Sequence, residues 1–132
     1  MYWIDLDTLE IVAKEINCTE EEGVIYSQHT KEIINSHRNL LTIHSHPNSF
    51  PPSIADFNSN FENEYSVGIV VCHNGTIYMY KSDTSIREDY YHLIVADYQK
   101  QGYNINESQI KAIEKLKATF KIEFKEVTNN DV

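Results

Sequence analysis

Two histidines and one aspartate lie in a short stretch of the chain at a spacing suited to binding one metal ion. His44 and His46 alternate at the end of an apolar segment, so on a β-strand their side chains leave the same face. Pro47 ends that strand directly after the second imidazole. Asp56 falls in the first turn of the next predicted helix, where a carboxylate is favoured. Two imidazoles and one carboxylate are a known ligand set for catalytic zinc, so the spacing predicts a site for one zinc ion.

Zinc at such a site activates water for hydrolysis. The bound ion lowers the pKa of water from about 15.7 to near 7 and polarises a carbonyl oxygen beside it. Ser53 lies three residues before Asp56, so its hydroxyl can face the same cavity and stabilise the oxyanion of a tetrahedral intermediate. Ser53 and Asp56 also have the positions of a capping box, which accounts for both residues without any catalytic role.

The combined pattern resembles the JAMM family of zinc metallopeptidases, also called JAB or MPN+ domains. The family signature is H-x-H-P, a short spacer and S-x-x-D. The chain has His44-Ser45-His46-Pro47, a spacer of five residues and Ser53-Ile54-Ala55-Asp56, as in bacterial and phage-associated relatives. The resemblance implies a JAB/MPN-like (cytidine-deaminase-like) mixed sheet flanked by helices. In that fold His44, His46 and Asp56 would ligate zinc, and Ser53 would assist the transition state.

The same resemblance implies hydrolysis of an amide bond in a protein or peptide substrate, including the isopeptide bond at the tail of a ubiquitin-like protein. The family also uses a glutamate from an early strand as general acid-base, which is worth about 10² to 10⁴ in rate. Aligning Ile4-Asp5-Leu6-Asp7 with the family pattern would place that glutamate before Met1. Glu15 and then Glu22 are the candidates within the chain, although each is better explained as a residue of a solvated strand face or a charged loop. The alternatives are a glutamate supplied upstream in a longer protein and a catalytically impaired, metal-binding interaction module.

The segments around the motif predict a mixed order of strands and helices. Hydrophobic periodicity and turn residues indicate a hairpin of residues 2–6 and 9–16, a short strand at 24–26 and a helix from 28 to about 37 capped by Ser27. A buried strand at 40–45, the motif helix from 54 to about 63 and a hairpin of 67–72 and 76–80 around Asn74-Gly75 follow.

Two further helices are predicted after the second hairpin, beyond the part that the resemblance covers. One spans 85–101 with Ile86, Tyr90, Leu93, Ile94 and Tyr98 at helical spacing. The other is capped by Asn106 and carries Ile110, Ile113, Leu116 and Phe120. Residues 121–132 read as a strand or a frayed tail. We therefore expect one α+β domain over 1–132, with a motif-bearing core at about 1–83 and a helical part at about 84–120.

Composition narrows the classes of partner. The chain has 132 residues and a net charge of −9, with 20 acidic and 11 basic residues. Nucleic acid repels such a surface, so DNA processing is the least favoured function. We expect no membrane span, because no apolar run reaches the roughly 18 to 20 residues needed, and we expect a cytoplasmic protein, because the N-terminus lacks a signal-peptide pattern.

Several residues suited to chemistry are assigned no catalytic role from the sequence. His29, His37 and His92 lack partners at ligand spacing, and His73 reads as a surface turn residue. Tyr90 and Tyr91 are candidates for a protein-binding surface. The two cysteines are expected to be reduced, with Cys72 in the core.

Overall fold

A computed structural model describes residues 1–15 and 27–127, and the backbone alone of 18–19 and 23–24. The helices are α1 (Gln28–Ser36), α2 (Ile54–Glu62), α3 (Glu88–Lys100) and α4 (Ile105–Lys117). The strands are β1 (Tyr2–Asp5), β2 (Glu10–Lys14), β3 (Cys18–Thr19), β4 (Gly23–Val24), β5 (Leu40–His46), β6 (Val67–Cys72), β7 (Ile77–Ser82) and β8 (Ile122–Val127).

Six strands form one mixed sheet in the order β2-β1-β5-β6-β7-β8, and β3 pairs with β4 separately. Strands β5 and β6 are parallel and are joined through α2, whereas the other neighbours in the large sheet are antiparallel. The predicted α+β class is therefore confirmed. Parallel neighbours need a crossover connection, and here that crossover carries Ser53 and Asp56 past the end of β5.

Both predicted hairpins form, and local turn chemistry explains the second. Gly75 has φ of 91°, a conformation that glycine adopts without steric cost, and Thr76 N–H donates to Asn74 Oδ1 at 3.0 Å. The turn joins β6 to β7 where the Asn-Gly pair predicted it. In the first hairpin, β1 pairs with β2 through a register irregularity between Trp3 and Ile4.

The four helices all pack on one side of the sheet. Phe57 of α2 and Ile113 of α4 share a buried cluster with Val70, Tyr80 and Phe124, whose side chains leave the sheet on that side. A second buried cluster joins α1 to the other end of the same side through Ile34, Trp3, Leu40 and Tyr65. The sheet therefore has one face covered by helices and one that no described helix covers.

The two C-terminal helices differ from their predicted form. Helix α3 begins at Glu88 rather than Ser85, and it buries Tyr91, Ile94 and Val95. Leu93 is 71% exposed and Tyr90 is 42% exposed, so the prediction that they face the core was wrong. The buried face of α3 is rotated by about one residue from the predicted face. Because Tyr91 is buried, it does not line a surface as proposed from the sequence.

The N-cap of α4 is Asn104, not Asn106 as predicted. Asn104 Oδ1 accepts from Glu107 N–H at 2.8 Å, and Glu107 Oε1 accepts from Asn104 N–H at 3.2 Å, which forms a capping box. Asn106 instead donates from Nδ2 to Ser49 Oγ at 3.1 Å. Two asparagines so close together offer equal capping chemistry, and the Glu107 partner decides between them.

Other predictions at the chain's edges have mixed outcomes. Residues 122–127 form strand β8 against β7, which decides between strand and tail for the described part. Residues 128–132, Ile16 and Tyr26 lie outside the described residues. Among the residues that the structure describes, no helix has the length and apolarity to cross a membrane.

Candidate metal centre

Strand β5 presents both histidines of the motif on the helix-covered side of the sheet. Thr42 and Leu40 are buried two and four residues before His44, and the strand's alternation continues through His44 and His46. The two Nε2 atoms lie 3.2 Å apart. The side chains of His44 and His46 are 12% and 18% exposed, so solvent reaches the point where they meet.

Helix α2 delivers Asp56 to the same point. Ser53 caps the helix: its Oγ accepts from Asp56 N–H at 3.1 Å, and its own N–H donates to Asp56 Oδ2 at 2.9 Å. This capping box fixes the carboxylate with one oxygen toward each imidazole. Asp56 Oδ1 lies 3.3 Å from His44 Nε2, and Oδ2 lies 3.4 Å from His46 Nε2. The predicted convergence of the three side chains is observed.

The ligand atoms lie close enough together to share one small divalent ion. A tetrahedral ion with metal–ligand distances of about 2.0 to 2.1 Å places its ligands about 3.3 to 3.4 Å apart. The two Nε2 atoms are 3.2 Å apart, and Asp56 turns Oδ1 to His44 at 3.3 Å and Oδ2 to His46 at 3.4 Å, so that one ligand atom from each of the three residues lies within 4.8 Å of the others. Among the described residues, His44, His46 and Asp56 are the group of three such side chains whose ligand atoms converge closely enough to hold a metal ion.

A backbone carbonyl sets the tautomer of His46. Its Nδ1 lies 2.9 Å from Phe50 O, which can only accept, so Nδ1 carries the proton. In the neutral ring Nε2 then has its lone pair directed toward Asp56 and His44, as a metal ligand requires. Cys72 Sγ also donates to Phe50 O, at 3.3 Å. His44 Nδ1 is buried and has no hydrogen-bond partner in the described part of the chain.

The charges of the site favour a cation. Burial alone would raise the pKa of Asp56, but hydrogen bonds with His44 and His46 outweigh it and hold the pKa well below its usual value. For His46, burial opposes protonation, whereas the hydrogen bonds with Asp56 and the Phe50 carbonyl raise the pKa above its usual value. At neutral pH the site therefore holds a carboxylate that attracts positive charge, whether a proton on His46 or a metal ion.

Glu15, the first of the two glutamates proposed as general acid-base, is hydrogen-bonded at the start of α1 and is not among the three residues of the metal group. Glu15 Oε1 accepts from Thr30 Oγ1 at 2.6 Å and from Ser27 N–H at 3.0 Å, at the start of α1. These hydrogen bonds, led by that of Thr30, lower the pKa of Glu15, and a carboxylate so stabilised is a weaker proton acceptor. Glu22 lies outside the described residues. A catalytic role for either residue stays a prediction.

Several contacts at and near the site had no sequence signal. The Phe50 carbonyl is a backbone group, so no residue type reveals it. Tyr80 of β7 lies edge-on to His44 with 6.4 Å between ring centroids, and only strand register brings it there. His37, assigned no partner from the sequence, places Nδ1 2.7 Å from Asp5 Oδ2. The hydrogen bond with His37 is the main cause that lowers the pKa of Asp5.

We expect Ser53→Ala to weaken metal binding beyond its cost in stability. The change removes the acceptor for Asp56 N–H, and loss of an N-cap costs about 1 kcal/mol in the free energy of unfolding. Loss of an outer partner of a metal ligand typically lowers affinity 10- to 100-fold. Urea unfolding and zinc titration by competition with a chelator measure the two effects.

Asn104→Ala is the matched control, because it removes an equivalent capping box, whose two hydrogen bonds join Asn104 to Glu107 and not to a proposed ligand. It should cost similar stability and leave zinc affinity within about twofold of the wild type. Equal zinc affinities for the two variants would contradict a positioning role for Ser53.

Comparison with known proteins gives no relative: no protein-family model, no curated protein and no solved structure matches the chain.

Proposed function

We propose that this chain is a zinc-dependent hydrolase domain of the JAMM type that cleaves an amide or isopeptide bond in a protein or peptide substrate. The observation that carries the proposal is the convergence of His44 Nε2, His46 Nε2 and the Asp56 carboxylate at separations of 3.2 to 3.4 Å. The three side chains are 12%, 18% and 20% exposed, so a substrate can approach the point that they share.

The donor set favours zinc over the other common divalent ions. Calcium and magnesium are bound through oxygen ligands, whereas two of the three donors here are imidazole nitrogens. Imidazole with one carboxylate suits zinc, and three protein ligands are the number found in catalytic zinc sites. When bound, zinc would act as a Lewis acid that acidifies water and polarises the scissile carbonyl.

Ser53 can serve the reaction as well as the helix. Its Oγ accepts from Asp56 N–H, which leaves the O–H free to donate. A hydroxyl in this position can stabilise negative charge that develops on the substrate's carbonyl oxygen. His44, His46 and Asp56 hold the ion, and the Phe50 carbonyl keeps His46 in the tautomer that binds it.

The order of elements around the motif also supports the JAMM assignment. The H-x-H-P segment ends a strand, the S-x-x-D segment starts the next helix, and that helix leads into a parallel strand followed by a hairpin. The resemblance predicted this order for the strand, the motif helix and the hairpin. Helices α3 and α4 are additions outside it.

A second candidate, a metal-binding interaction module without hydrolytic activity, is favoured by one observation. No second carboxylate joins His44, His46 and Asp56 among the described residues, and Glu15 is hydrogen-bonded at the start of α1. Without a general acid-base, the rate would fall by about 10² to 10⁴.

An activity assay on zinc-loaded protein separates the two candidates. The substrates are an extended peptide and the same peptide joined to a lysine side chain through an isopeptide bond, with cleavage followed by mass spectrometry. The proposal expects cleavage that a chelator abolishes and added zinc restores. One bound equivalent of zinc without cleavage, even at enzyme concentrations near those of substrate, would favour the interaction module.

A further inference from the structure

One face of the large sheet carries apolar side chains and is covered by none of the described helices. Because α1 to α4 pack on the other side, alternate residues of β1, β5, β6 and β7 point away from all four helices. We call this surface the open face and define it by six residues: Ile4, Leu41, Ile43, Ile69, Val71 and Met79.

Strand register makes the open face continuous. Ile4 pairs with Leu41, Ile43 pairs with Ile69, and Ile69 pairs with Met79. Val71 is 36% exposed, and the other five residues are half-buried. In a mostly antiparallel sheet, the residues that face water are normally polar and alternate with apolar residues that face the core. A contiguous apolar patch on the water-facing side indicates an interaction surface.

The charged side chains that the strands present around the open face have a positive net charge, whereas the whole chain has a negative one. Lys14 pairs with Tyr2, Lys125 pairs with Met79, and Lys81 pairs with Glu123, so these strands present three lysines and one glutamate there. Lys81 Nζ also donates to Tyr65 O at 2.7 Å and lies 4.0 Å from Asp83, beyond the end of β7. The whole chain carries −9. The rim of this surface thus favours an acidic partner.

A cavity adjoins the open face at this rim. Its volume is about 460 Å³, and Val67 and Met79 line it together with three lysines and one glutamate: Lys81, Lys117, Lys125 and Glu123. The cavity offers an apolar wall beside lysine side chains, which suits an apolar anchor residue flanked by carboxylates.

We propose that the open face binds an amphipathic helix of a partner protein, with its apolar stripe on the sheet and acidic residues toward the lysines. Four neighbouring strands span about 14 Å, more than the roughly 10 Å diameter of a helix. The opposite side of the same sheet already packs helices of 9 to 13 residues. A second copy of this chain fits less well, because a two-fold contact between identical faces would bring lysines against lysines.

The probe is a synthetic 18-residue helical peptide. It has leucine at i, i+3, i+4 and i+7 and glutamate at the flanking positions. A matched peptide carries lysine in place of glutamate. Fluorescence anisotropy measures binding of both to the full chain and to three variants: Val71→Glu, Lys125→Glu and Lys31→Glu. Lys31 is exposed on α1, on the helix side of the sheet, and serves as the charge-matched control.

We expect the acidic peptide to bind at least about tenfold more tightly than the basic one. Val71→Glu should weaken it by about tenfold or more, Lys125→Glu by about fivefold, and Lys31→Glu by less than about twofold. Lys125→Glu changes an exposed strand residue, so it tests the proposal even if Val71→Glu does not fold. Zinc binding should be unchanged in all three variants, which separates this surface from the metal centre.

Two results would overturn the proposal. One is the absence of acidic-peptide binding, or binding that Val71→Glu and Lys125→Glu leave unchanged. The other is a concentration-dependent dimer in sedimentation experiments that Val71→Glu abolishes, which would assign the open face to a second copy.

Discussion

Asp56→Asn is expected to lower zinc affinity by more than about 100-fold while the chain stays folded. The asparagine oxygen can still accept from Ser53 N–H, so the capping box of α2 survives in part. The substitution removes the negative charge that attracts the ion and that faces both imidazoles. Since removal of an outer partner alone costs 10- to 100-fold, removal of a charged ligand should cost more. His46→Ala should have an effect of the same size, because it removes one of three ligand atoms.

Competition titration against a chromophoric chelator measures these affinities, and circular dichroism checks the fold. His73→Ala is the control, because the side chain of His73 is exposed at the turn after β6, and the substitution keeps the backbone N–H that donates to His46 O and Asn48 O. It should bind zinc like the wild type. A variant lacking Asp56 or His46 that still binds one equivalent with wild-type affinity would refute the metal centre.

Gly68→Ala is expected to destabilise the fold by about 3 kcal/mol, at the upper end for overpacking of a core. A Cβ at this position would lie 2.2 Å from Tyr80 Cζ and 2.5 and 2.6 Å from its two Cε atoms. Tyr80 is 3% exposed and packs edge-on to Phe57 at 5.4 Å between ring centroids, so the ring cannot move aside freely. Urea unfolding measures the change in the free energy of unfolding.

Tyr80→Ala provides the matched background for this substitution. If the clash with the ring is the cause, Gly68→Ala should cost less than about 1 kcal/mol once the ring is gone, and the two changes should be strongly non-additive. Because Tyr80 also lies beside His44, Gly68→Ala in the wild-type background should weaken zinc binding. A Gly68→Ala protein as stable as the wild type would show that the strands or the Tyr80 ring shift to accommodate the added methyl group.

Elements set by interactions over a few residues follow from the sequence. The Asn74-Gly75 turn, the Ser53–Asp56 capping box and the alternation of His44 and His46 depend on turn geometry, cap chemistry and strand pleat. Each of these acts over one to four positions, so the residue types alone carry the information. The convergence of the three proposed ligands could be predicted because β5 and α2 are joined by only seven residues, 47–53.

Features set by residues distant in sequence depended on the tertiary structure. The exposure of Leu93, the contact between His37 and Asp5 and the position of Tyr80 beside His44 each depend on how separate segments pack. A one-residue shift in helix rotation or strand register changes such contacts at little local cost, so local patterns do not decide between them. The sequence by itself determined the proposed ligand set and its elements. Only the tertiary structure decided that the Phe50 carbonyl orients His46, because a backbone group has no residue type that reveals it. Only the tertiary structure decided that no described helix covers one face of the sheet, because this depends on how distant segments pack.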